Sequence, residues 1–249
     1  MLSTGFFRSL LFSTIFYLWI LVAMLLALPV MVSYSAIYKL NSLWAGSVMW
    51  LFRKIVGCDY RIEGLENLPQ NSQGFVIASK HQSAWETIIL FKILPKVCYV
   101  YKKELGYIPI YGWYNIRFNN IRVDRGSGGA ALRKIVSQAI ERVKDGYQVV
   151  IFPQGSRTPF GKEVKYKPAI YAMYREGLPV YPAALNSGNH WPKNGLKHPG
   201  TIVMKFLPQI EPGLDREQFM SRLEAAIEVE SNALHDKDNN MHGRGCACH

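Results

Sequence analysis

From Ser9 to Tyr38 the chain carries no charged residue, and the centre of this run, Ile15 to Val32, is almost wholly apolar. About 20 such residues suffice to cross a bilayer as a helix. The run is longer than the apolar core of a signal peptide and has no small-residue cleavage site after it. Pro29 interrupts it, which leaves two arrangements open: a helix that spans the bilayer, or one that enters and returns within a leaflet. Leu40 to Ile55 then sets Trp44, Val48, Leu51, Phe52 and Ile55 at helical spacing and ends on Arg53-Lys54. That is the pattern of an amphipathic helix, lying at the interface, packed on the first segment, or serving as an ordinary domain helix.

Beyond residue 56 the period changes. Tyr60 to Gly64 alternates like a strand, and Ile121 to Arg125 reads as a short one. Phe75–Ser79, Val97–Tyr101, Tyr147–Phe152, Val180–Leu185 and Thr201–Phe206 are short apolar runs that read as strands, most of them buried. Helical patterns separate them: Thr87–Phe91, a long one through Leu132, Ile135, Val136, Ala139, Ile140 and Val143, another over Pro168–Arg175, and a last one with Phe219, Leu223 and Ile227 four apart. Strands alternating with helices predict an α/β fold, a mostly parallel sheet flanked by helices, behind an N-terminal membrane helix. The expected division is 1–56 membrane-associated, 57–235 the α/β domain, and 236–249 a disordered tail.

Charge narrows the partners. Twenty-nine Lys and Arg against 18 Asp and Glu give a net charge of +11 over 249 residues. This suits anionic lipid, phosphorylated substrates or nucleic acid. Zinc-finger spacing, an RNA-recognition signature and a basic recognition helix are all missing from the sequence, so no nucleic-acid partner is expected. Arg8 precedes the apolar segment while Lys39, Arg53, Lys54 and Arg61 follow it, which places the C-terminal side in the cytoplasm and the protein at the inner (cytoplasmic) membrane. Cys58 and Cys98 sit beside apolar runs and read as reduced, buried thiols. Cys246 and Cys248, with His242 and His249, have ligand chemistry but lie in the unpatterned tail, and no metal is expected.

The candidate chemistry lies where the strand ending at Ser79 gives way to a helix: Lys80-His81-Gln82-Ser83-Ala84-Trp85-Glu86. Residues five apart on one helix point roughly 140° apart, so His81 and Glu86 meet only if His81 stays in the turn and Glu86 lies in the first helical turn. Ser83 to Glu86 has the S-x-x-E form of a capping box, which permits that arrangement. Two readings stand: a histidine base oriented by a carboxylate, or a structural histidine beside a helix cap. The Gly-rich turn at Gly126-Ser127-Gly128-Gly129 lacks the P-loop and dinucleotide spacings and reads as a plain turn and cap.

Taken together, these motifs resemble the bacterial 1-acylglycerol-3-phosphate (lysophosphatidic acid or lysophospholipid) acyltransferase family. Lys80-His81-Gln82-Ser83-Ala84-Trp85-Glu86 is similar to its first motif, with Glu86 in place of the family's Asp. Lys102-Lys103-Glu104-Leu105 with Pro109, Gly112 and Trp113 is similar to its Lys-Lys-x-Leu segment, and Arg125 to the arginine closing the second motif. Phe152-Pro153-Gln154-Gly155-Ser156-Arg157 resembles the third, with Gln154 where a Glu is usual, and Leu178-Pro179-Val180-Tyr181-Pro182 the fourth.

The resemblance implies transfer of a fatty acyl group from acyl-CoA or acyl carrier protein to the hydroxyl of a lysophospholipid at a membrane, in phospholipid biosynthesis. His81 would be the general base and Glu86 its orienting acid, with Ser83 a cap rather than a nucleophile and no cofactor beyond the acyl donor. Lys102, Lys103, Arg125, Gln154, Gly155, Ser156 and Arg157 would bind substrate, with backbone amides near Gly155 as oxyanion donors. Gln154 removes a charge from the expected acceptor site, which admits a different lysolipid, such as a lyso-ornithine lipid. A non-catalytic anionic-lipid-binding protein is the reading from another class.

Overall fold

The structure, a computed structural model, describes residues 4–71, 73–124 and 128–241. The first apolar run folds into a hairpin. Helix α1 (Thr4–Ala27) gives way at Pro29 to a 3₁₀ turn over Leu28–Val32, and α2 (Tyr34–Val56) returns along α1. α2 starts earlier than the periodicity from Leu40 predicts because Ser33 caps it, accepting the Ala36 N–H at 3.3 Å. At its other end Gly57, with φ +81°, adopts the left-handed conformation that stops a helix.

β1 (Cys58–Glu63), β2 (Phe75–Ser79), α3 (Trp85–Ile93), β3 (Val97–Lys102), α4 (Tyr111–Arg117), β4 (Ile121–Val123), α5 (Gly128–Lys144) and β5 (Gln148–Ile151) follow. After them come α6 (Ala169–Arg175), β6 (Val180–Leu185), α7 (Ser187–His190), β7 (Gly200–Phe206) and α8 (Arg216–Met241). The strands form one sheet in the order β1-β7-β6-β2-β5-β3-β4, parallel at every pairing except β6 with β7. β4 stops at Val123, short of the predicted Arg125, which with Gly126 and Ser127 lies outside the described residues.

Side-chain alternation along the central strand sorts the two layers. Phe75 and Ile77 of β2 pack into one apolar cluster with α2, α3 and Phe12 and Phe16 of α1. Val76 and Ala78 face the other, built on α5, α6 and α8. The hairpin is therefore part of the main core. Phe12 packs 4.9 Å from Phe52 and edge-to-face 5.0 Å from Trp191, ring centre to ring centre, and is fully buried. Burial of such a side chain is worth about 1.5–3 kcal/mol.

α1 docks through its N-terminal half and its last residue, and the stretch between borders a cavity. Ser9, Phe12, Phe16 and Ala27 are buried, while Phe7, Leu10, Leu11, Leu18, Leu21, Val22, Leu25 and Leu26 form the outward stripe and are exposed. Cys58 and Cys98 are free and buried, and burial pushes both thiols up to about 12. At the C-terminus the expected tail boundary at 235/236 falls inside a helix, because α8 runs on to Met241. Asp238 is buried and paired with His190. The tail ligand types His242, Cys246, Cys248 and His249 lie outside the described residues.

Candidate active site

β6, β2 and β5 are neighbours, so the segments leaving their carboxyl ends meet. Alternation carried past Ser79 sends Lys80 to the α8 side and His81 to the α3 side. Lys80 is buried there and bonds Glu228, whose other oxygen accepts the Tyr166 hydroxyl at 2.8 Å.

His81 remains in the turn and Glu86 sits in the first turn of α3, the arrangement the spacing demanded. His81 Nδ1 lies 2.9 Å from Glu86 Oε1. The same oxygen accepts the backbone N–H groups of Gln82 at 2.7 Å and Ser83 at 2.8 Å. Glu86 Oε2 accepts the Ser187 hydroxyl at 2.9 Å, and the carboxylate has no solvent exposure. The cap and the dyad therefore coexist on one side chain. The capping box is reciprocal only in part: Ser83 Oγ accepts the Trp85 N–H at 3.0 Å, not that of Glu86. This gives Ser83 a turn-stabilising role.

The backbone of His81 is fixed at both polar atoms. Its N–H donates to Gln154 Oε1 at 3.0 Å, and its carbonyl accepts the Thr158 N–H at 2.8 Å. Its ring stacks on Phe152, with centroids 3.9 Å apart and planes at 18°. His81 Nε2 makes no hydrogen bond among the described residues, and the side chain keeps 16% of its exposure. The ring borders a cavity of about 1190 Å³. Trp19, Ala23 and Met24 of α1, Trp44 of α2, Ile88 and Phe91 of α3, and Tyr111 and Tyr114 of α4 are among the side chains that make its walls largely apolar.

The predicted binding residues divide. Gly155 and Lys102 line the cavity. Lys102 lies 3.6 Å from Glu104, both well exposed. Lys103 does not line it; its ammonium bonds Asp124 at 2.5 Å, which raises its pKa above the usual lysine value. Ser156 is exposed and Arg157 half-buried, and Arg157 makes no ion pair among the described residues. Arg125 lies outside the described residues.

Two of the expected substrate contacts have partners within the protein. Gln154 is 3% exposed, and its amide oxygen accepts the His81 backbone N–H. The Gly155 N–H closes a β-turn onto Phe152 O at 2.9 Å, with Pro153 at the position that favours such a turn, so this amide is not free to serve an oxyanion.

Two residues of the site were not singled out from sequence. Lys167, two residues before α6, lines the cavity and lies along Gly155. Ser187 lies in α7, far along the chain in a short polar stretch with no periodic signal. The Lys-Pro dipeptide ahead of a predicted helix was the only cue for Lys167.

A family model described as Acyltransferase matches residues 59–186, half of the chain. The 1-acyl-sn-glycerol-3-phosphate acyltransferase of Pseudomonas aeruginosa is 40% identical over 167 residues, 66% of this chain and 64% of that protein. The enzyme of the same description from Cocos nucifera is 30% identical over 169 residues, 66% of this chain and 52% of its own length. The chain thus spans less than two thirds of the length of these relatives. The crystal structure of the 1-acyl-sn-glycerophosphate (LPA) acyltransferase PlsC from Thermotoga maritima superposes with a TM-score of 0.77. It covers 92% of this chain and 97% of its own at 22% identity, which is a likeness of fold. With half its length matched by the family model, and with the paired histidine and carboxylate inside the matched span, this chain belongs to the acyltransferase family.

Proposed function

We propose that the protein transfers a fatty acyl group from acyl-CoA or acyl carrier protein to the free hydroxyl of 1-acylglycerol-3-phosphate, making phosphatidic acid for phospholipid biosynthesis. The observation that carries this reading is the His81–Glu86 pair, with Nδ1 held by a fully buried carboxylate and Nε2 free beside a large apolar cavity.

An alcohol is a poor nucleophile until its proton is removed, and a histidine is suited to take that proton near neutral pH. In this reading His81 Nε2 takes the hydroxyl proton as the oxygen attacks the thioester carbonyl carbon. Glu86 stabilises the imidazolium that results. The C–S bond then breaks, and the departing thiolate takes the proton back from Nε2. The thioester is already activated, so no acyl-enzyme and no further cofactor enter the step. The apolar cavity suits a fatty chain. Arg157 of the third motif and Lys167, which lies along Gly155, would attract a phosphate together with Lys102 and Arg125.

Acceptor and donor would meet at a membrane. α1 is docked along one face and apolar along the other, which supports a helix lying in the interface. The basic residues that follow the apolar segment support a domain on the cytoplasmic side of the inner membrane. The bond from the His81 backbone to Gln154 weakens the case for the alternative, a lyso-ornithine acceptor, since a charge at that position would face the His81 backbone.

The test is an acceptor panel with labelled acyl donor and purified protein in detergent. Labelled phosphatidic acid from 1-acylglycerol-3-phosphate is expected. Acylation of another lysolipid in its place, or turnover of none, would reject this assignment.

A further inference from the structure

The two oxygens of Glu86 are served from opposite sides. Oε1 takes His81 Nδ1 and the N–H groups of Gln82 and Ser83, all from its own strand-to-helix turn. Oε2 takes the hydroxyl of Ser187 at 2.9 Å, and Ser187 has no solvent exposure. The Ser187 hydroxyl is not an N-cap, because Asn186 occupies that position in α7.

α7 is clamped to the same turn a second time. The Gly188 N–H donates to Gln82 Oε1 at 3.0 Å. A Cβ at Gly188 would lie 3.2 Å from the Gln82 side chain, tighter than ordinary contact, so a glycine allows the approach. Behind α7, Asp238 of α8 accepts from Asn189 Nδ2 at 2.7 Å and pairs with His190 Nε2 at 3.1 Å. α7 is thus a fixed platform between α8 and the dyad.

We propose that Ser187 is a positioning residue for the dyad: its hydroxyl locks the Glu86 carboxylate plane so that Oε1 stays on His81 Nδ1 and Nε2 stays aimed into the cavity. The last torsion of a glutamate is soft and two-fold, so its own preference holds the plane only loosely and the contacts on the two oxygens must fix it. A donor on the second oxygen removes that freedom, and a charge-assisted bond does so strongly. The inference rests on the acyl-transfer reading for its meaning, but not for its test.

The test compares wild type with Ser187→Ala and Ser187→Thr in detergent. Histidine-selective ¹⁵N NMR is read alongside turnover and melting temperature, with the His81 signals assigned through His81→Gln. Wild type should show His81 protonated at Nδ1 with a slowly exchanging proton. Ser187→Ala should mix the ring tautomers and speed that exchange. It should also lower kcat by ~10–100-fold, the equivalent of one hydrogen bond to a charged group, with both KM values nearly unchanged. Ser187→Thr, which keeps the hydroxyl, should restore both readouts.

Unchanged His81 signals in Ser187→Ala would overturn the proposal, whether or not the melting temperature falls. If wild type shows no acyl transfer, the proposed function fails on its own, and the ring-nitrogen signals still decide the role of Ser187.

Discussion

Gln154 Oε1 lies 3.0 Å from the backbone nitrogen of His81, so the residue that departs from the usual third motif supports the turn that carries the histidine and does not line the cavity. Gln154→Glu should keep the same contact, since a carboxylate oxygen also accepts an N–H. Acceptor preference in a lysolipid panel should therefore stay as in wild type. Gln154→Ala leaves a buried N–H unpaired, at a cost of about 1–3 kcal/mol. It should lower both melting temperature and kcat without changing which lysolipid is used.

His81→Ala removes an imidazole that borders the cavity and whose Nε2 makes no hydrogen bond among the described residues. General acid–base groups contribute roughly 10²–10⁴-fold, and initial rates with acyl-CoA and 1-acylglycerol-3-phosphate should fall by that much or more. The imidazole is partly exposed and its backbone bonds are independent of the ring, so circular-dichroism melting should change little. A rate near wild type would end the general-base assignment.

Glu86→Gln differs from this in a checkable way. The carboxylate also accepts two backbone N–H groups, and an amide presents at most one oxygen to the four donors around it. Both activity and folding stability should drop. Each lost charge-assisted bond is worth about 1.5–3 kcal/mol, read as a lower urea midpoint. Loss of activity with an unchanged midpoint would mean that Glu86 does not anchor the turn.

The Lys80–Glu228 pair should respond asymmetrically. Lys80 is 3% exposed, whereas the Glu228 side chain is 30% exposed and also bonded to Tyr166. Removing the acid strands a buried ammonium, and breaking such a pair costs roughly 3–5 kcal/mol. Lys80→Met leaves an acid that reaches water and keeps the Tyr166 hydroxyl. Urea unfolding should therefore show Glu228→Ala well below Lys80→Met; equal losses would contradict the asymmetry.

The outward stripe of α1 gives a fifth prediction. Leu18→Glu with Leu25→Glu replaces two exposed apolar side chains and should leave the docked face intact. Vesicle co-sedimentation should fall, as should turnover of vesicle-embedded acceptor. Turnover of a short-chain, water-soluble acceptor should hold. Equal losses on both acceptors would show that the stripe supports the fold instead of lipid contact.

What was legible in the sequence was local. His81 and Glu86 are five apart, and a strand run, a capping pattern and a helix start leave one geometry in which they touch. The strands were legible because most are buried on both faces and read as continuous apolar runs. Ser187 was not, because its partner lies across the sheet and strand adjacency is not a property of chain order. The bond from the His81 backbone to Gln154 was not legible either, because a closed turn, Phe152 to Gly155, sets the direction of that side chain. The end of α8 looked like tail because Asp236 to Asn240 is polar. Asp238 is nevertheless held by Asn189 and His190, partners that no local pattern announces.

The shared packing of Phe12, Phe52 and Trp191 bears on how the protein is handled. A truncation beginning at residue 57, the natural choice for making a detergent-free fragment, would strip one lining from the cavity and open the α3 side of the sheet to water. Such a fragment should aggregate, and solubility would be better sought by recolouring the outer stripe of α1 with charge than by cutting the hairpin away.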